Sequence, residues 1–89
     1  MGTMVEPDLV LCAEALFASM VQESERPSAV RVRAAVADAL DRLHPDGLAA
    51  VLAQEAGDHP ELYQHRMRWA LRTVAEVYAR APRFLPRAA

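Results

Sequence analysis

Three histidines (His44, His59, His65), one cysteine (Cys12) and twelve carboxylates are the groups in this 89-residue sequence able to move a proton, hold a metal or attack an electrophile. Two of the histidines, His44 and His59, flank expected turns, which leaves Glu61 and His65 as the i,i+4 pair expected within one helix. A metal site would have to recruit His59, Asp58 or His44 by tertiary contact, and nothing in the spacing enforces that. Cys12 stands alone, so an internal disulfide and a cysteine-based zinc knuckle are both excluded, as suits a reducing compartment. It falls on the flank of an apolar helix face, where a small packed hydrophobe is the ordinary role. The three glycines form no phosphate-binding loop. The expectation is a protein with no catalytic, metal or cofactor residues.

The elements that would position these groups follow from composition and punctuation. Apolar residues make up 53% of the chain, but 18 of them are alanine, so the core is thin. Isoleucine is absent and phenylalanine is scarce, whereas Ala, Leu, Arg and Glu dominate, which favours helix over strand. All ten basic residues are arginine, the vocabulary of a GC-rich bacterial genome. No apolar run approaches the length of a membrane span, and no basic leader precedes a hydrophobic stretch, so a cytoplasmic protein is expected.

The periodicity predicts four helices. Asp8 caps the first, whose apolar face is Leu9, Ala13, Leu16, Phe17, Met20 and Val21 and which ends near Ser24 before Pro27. Ser28 caps the second, with Ala29, Val32, Val36, Leu40 and Leu43 in a stripe. A turn at His44-Pro45-Asp46-Gly47 leads to a short third helix with Leu48, Val51 and Leu52, which Gly57 ends in a left-handed conformation. Pro60 opens the fourth and longest helix, with Tyr63, Met67, Ala70, Leu71, Val74, Val77, Tyr78 and Ala81 on its broad face. The fold class is therefore all-α, a compact four-helix bundle or an irregular orthogonal four-helix array. Residues 1–7 are expected to be a disordered N-terminus, including a cloning remnant before Met4; residues 8–82 form one helical domain and 83–89 a tail.

Charge is unevenly distributed. Residues 1–61 carry a net −7 and residues 62–89 a net +5, within an overall −2. On a helical wheel Trp69 sits with Leu62, Arg66, Thr73 and Arg80, away from the Tyr63-Met67-Val74 stripe. One neighbour does not bury both sides of that helix. An indole flanked by arginine has the composition of an interface anchor. The alternative is that the N-terminal segment, or Phe84 and Leu85 of the tail, covers it.

A second reading concerns DNA. Leu52-Ala53-Gln54-Glu55-Ala56-Gly57, followed by Leu62-Tyr63-Gln64-His65, resembles the helix-turn-helix of TetR-type repressors, whose pattern runs Ile-Ala-x-x-Ala-Gly, a turn, then Leu-Tyr-x-His-Phe. The turn here is one residue shorter and Arg66 stands where the family has Phe. That resemblance implies a turn at Gly57, with Gln64, His65 and Arg68 facing the major groove. A carrier protein would suit the length and acidity, but its Asp-Ser-Leu attachment motif is missing.

Together these observations predict a non-enzymatic, cytoplasmic helical interaction or regulatory module. It associates with itself, as a homodimer, or with a protein partner through Leu62, Arg66, Trp69, Thr73 and Arg80 of the last helix. A small DNA-binding regulator is the alternative; no membrane is involved.

Overall fold

The computed structural model describes residues 8–80, and the expectations for residues 1–7 and 81–89 lie outside that range. The described residues are all-helical: three helices, α1 (Leu9–Ala18), α2 (Ala29–Asp58) and α3 (Pro60–Arg80), and a single 3-10 turn at Glu23–Glu25. The count of four is thus corrected to three. The residues expected to form a second and a third helix are one element, kinked at His44, where φ is 59° and ψ is 166°. Pro45 disfavours helical geometry in the residue before it, yet its own fixed φ suits a first helical position, so the helix breaks for one residue and restarts at once. The four-residue turn is therefore unnecessary. Gly47 permits the tight restart, since a Cβ there would lie 3.2 Å from Leu43 Cβ.

His44 occupies a region of backbone space almost reserved for glycine, at a cost of about 1–3 kcal/mol. It is exposed and its side chain is in no ion pair among the described residues. His44→Gly is therefore expected to raise stability by about 1 kcal/mol, after the entropy that glycine loses on folding is subtracted. A rise in the urea midpoint at constant slope is the result to look for.

α1 begins as expected, with Asp8 Oδ1 accepting from the Leu11 N–H at 3.1 Å. It ends at Ala18, well short of Ser24. Ser19 stops it: the hydroxyl donates to the Leu16 carbonyl at 2.6 Å and accepts from the Val21 N–H at 3.2 Å, offering the backbone partners that further helix would have supplied. The chain turns so that Val21 is buried while Met20 is 83% exposed, which removes Met20 from the expected apolar face. A reciprocal cap between Gln22 and Glu25 forms the 3-10 turn, and Arg26, at φ 49°, reverses the chain toward Ser28, the cap of α2. The Gln22 N–H and the Arg31 side chain, both donating to Glu25, hold its carboxyl below its ordinary range.

Each helix packs on the other two. α1 is the central element: Cys12, Ala13, Ala15, Leu16 and Phe17 are all buried, and together they spread over more than half of its circumference. Val32, Val36, Ala39, Leu48 and Leu52 come from α2, and Trp69, Ala70, Val74 and Val77 from α3. Ala29 and Leu71, expected on buried faces, are exposed. The alanines that thin the core also allow α1 to approach both neighbours closely, because a helix with small side chains can be covered on several sides.

Candidate functional site: the joint between α1 and α3 and its groove

The early stop of α1 leaves the carbonyls of its last turn without helical partners, and the negative end of the helix dipole lies there. Arg66, one turn and a half into α3, meets that demand. Its Nε donates to the Phe17 carbonyl at 2.9 Å, and Nη2 reaches the carbonyls of Val21 at 2.9 Å, Ser19 at 3.2 Å and Leu16 at 3.3 Å. The guanidinium also lies over two rings, 5.5 Å from the Phe17 centroid and 5.0 Å from that of Trp69. Planar donors and a weakly hydrated cation suit arginine to this position in a way that lysine would not match. Burial pushes the guanidinium below its ordinary value, and the nearby Glu23 carboxylate works in the opposite direction.

Trp69 is only 6% exposed, covered within the single chain. This corrects its placement, with Arg66, as an open contact surface: the second apolar side of α3 is hidden by its own fold. Thr73 is half-buried, and the Arg80 side chain lies outside the described residues. Of the five residues nominated, Leu62 alone is both described and prominently exposed, at 68%.

Beside the joint lies a groove of about 740 Å³. Phe17, Ala18 and Ser19 line it from the end of α1, Gln22, Glu23 and Ser24 from the loop, Val51 and Glu55 from α2, and Leu62, Tyr63, His65 and Arg66 from α3. Phe17 and Tyr63 make its aromatic part, with centroids 5.1 Å apart. Its rim is polar: His65 Nε2 is 3.0 Å from Glu23 Oε1, and Glu55 Oε1 is 3.3 Å from Nδ1 of His59. Exposed pairs of this kind contribute about 0–1 kcal/mol each. Sequence reading missed Phe17, Val51 and Glu55 as neighbours of Leu62, because only the folded loop brings the end of α1 to the head of α3.

Gln64, His65 and Arg68 are exposed on α3, as the DNA reading requires, but Gly57 does not make a turn. It lies inside α2, which runs to Asp58, and a single residue, His59 at φ −140°, joins it to α3. Nothing lies within 4 Å of a Cβ built on Gly57, which has no positive φ. Gly57→Ala is therefore expected to stabilise the chain by about 0.5–1 kcal/mol, whereas a left-handed turn glycine would make it destabilising. A thermal melt of that variant decides between the two.

Cys12 is buried, and desolvation raises its thiol above the ordinary range; the Tyr78 hydroxyl facing the sulfur lowers it in part, and Asp8 raises it. Tyr78 is likewise raised, chiefly by burial. Both groups are neutral in the fold and ionise more readily in the unfolded chain. Their contribution to stability is thus complete below the ordinary thiol range and declines as pH rises through the raised values. A thiol reagent at neutral pH should label Cys12 at least about tenfold more slowly in the folded chain than in urea.

No group of three or more metal-ligating side chains is present among the described residues, and no helix there is long and apolar enough to cross a membrane. Compared with family models, with curated proteins and with solved structures, the chain matches none.

Proposed function

We propose that this chain is a non-enzymatic helical interaction module that associates with itself through the groove at the head of α3. The observation that carries this reading is the juxtaposition of Leu62, 68% exposed, with a groove that Phe17, Val51 and Tyr63 make apolar and that Glu23, Glu55 and His65 rim with polar groups. An apolar centre with a polar rim is the ordinary anatomy of a protein interface. A core this rich in alanine would also profit from further burial. Leu62→Arg leaves the fold intact, because the side chain stands in solvent, and is expected to weaken self-association at least about tenfold in sedimentation equilibrium. Association that is indifferent to this variant would remove the groove from the interface.

The second reading, a small DNA-binding regulator, is favoured by one feature: Gln64, Arg68 and Arg72 are exposed on α3, and neither arginine pairs with a carboxylate among the described residues. It ranks second because the helix junction lacks the glycine turn of the resembling motif and the chain is acidic overall. DNA binding would fall steeply with salt and be lost in Arg68→Ala, whereas an apolar interface is nearly salt-indifferent. Passage through a DNA column at low salt without retention would dismiss it.

A further inference from the structure

The groove suits an occupant with a bulky apolar centre and cationic flanks, since the Glu23 and Glu55 carboxylates stand on its rim faced by the imidazoles of His65 and His59. Its one arginine, Arg66, has Nε and Nη2 engaged by the backbone of residues 16–21, so it repels such a ligand less than an open cation would. We infer that the occupant is the segment Arg83-Phe84-Leu85-Pro86-Arg87 of a second copy of this chain; the inference rests on the reading of the groove as the self-association surface. The segment matches in chemistry: an aromatic and a leucine side by side, an arginine at each end, and no acid. Pro86 within it and Pro82 just before it reduce the conformational entropy lost on docking.

Chain geometry selects the second copy over the first. α3 ends at Arg80, and the lining residues Leu62 to Arg66 lie about 21–27 Å back along the helix at 1.5 Å per residue. Phe84 and Leu85 follow Arg80 by four and five residues, a reach of at most about 13–18 Å even when fully extended. A chain's own Phe84 and Leu85 therefore stop short of its groove. Two copies with their α3 helices antiparallel bring each segment to the head of the other's α3, and the exchange closes as a two-fold pair with two equal contacts. The other segment outside the described range, residues 1–7, carries Glu6 and no cationic side chain, so the groove carboxylates favour it less.

Sedimentation equilibrium of the full chain, of Leu62→Arg, of the double variant Phe84→Ala/Leu85→Ala, and of an equimolar mixture of the two variants tests this. The full chain is expected to dimerise, and each variant alone to lose at least about tenfold in affinity. The mixture should dimerise more strongly than either variant alone, because one intact groove then meets one intact segment. A full chain that stays monomeric at about 100 µM would sink both the groove reading and the segment. Loss of the dimer in Leu62→Arg with full retention in Phe84→Ala/Leu85→Ala would sink the segment and leave the groove. Loss on deleting residues 1–6, with the double variant unaffected, would assign the groove to that end of the chain instead.

Discussion

Arg66→Ala is expected to lower stability by about 3–5 kcal/mol, because several partly buried carbonyls lose a charged donor together, at about 1–3 kcal/mol for each group left unsatisfied. The guanidinium donates to carbonyls of Leu16, Phe17, Ser19 and Val21, and these would lose a charged partner at once. The rings of Phe17 and Trp69 would lose the cation that lies over them. For a domain of this length a loss of 1 kcal/mol lowers Tm by about 4–8 °C, so Arg66→Ala should melt far below the parent or not fold at 37 °C. Arg66→Lys keeps the charge but not the planar fork, and should cost roughly half as much. His65→Ala, one residue away and hydrogen-bonded to the exposed Glu23 carboxylate, should cost at most about 1 kcal/mol. Urea denaturation followed by circular dichroism checks the series. Similar losses for Arg66→Ala and His65→Ala would mean that Arg66 is not the joint between α1 and α3.

Trp69→Ala is the second large effect, again about 3–5 kcal/mol, from the lost transfer energy of a buried indole and the cavity left behind. Because the Arg66 guanidinium is 5.0 Å from the indole centroid, the two residues share one environment, and their effects should not add. A double-mutant cycle built on Arg66→Lys and Trp69→Phe, both mild enough to fold, is expected to give a coupling of at least about 0.5 kcal/mol. An exposed interface residue would behave otherwise: Trp69→Ala would leave stability within about 0.5 kcal/mol of the parent and abolish association instead.

These two residues also mark where sequence and structure part company. The α3 periodicity correctly announced two apolar sides, and Asp8, Ser28 and Pro60 stand where their helices begin because capping and the proline φ are local physics. What hides the Trp69 side depends on how α1 ends, and that is not local. Ser19 and the reciprocal cap at Gln22 and Glu25 end the helix early, fold Val21 inward and present backbone carbonyls to α3. Arg66 on a helical wheel is then a charged residue beside a tryptophan, and nothing in its spacing distinguishes an outward cation from one spent on another helix's carbonyls. The merging of two expected helices has a similar origin. Pro45 was legible as a break, but a break of one residue at His44 and one of four residues look alike until backbone angles are known. Leu62 shares the wheel face of Trp69, and only the folded chain separates the two, leaving Leu62 exposed where the indole is buried.

Trp69 is the sole tryptophan, so its fluorescence reports on the central claim without any substitution: the second apolar side of α3 is covered by its own chain. Acrylamide quenching of the 89-residue chain should be weak, with blue-shifted emission, and should stay so on dilution through the whole range over which dimers dissociate. Quenching that strengthens as the copies separate would show that the indole is sheltered by a second molecule, and would return Trp69 to the interface.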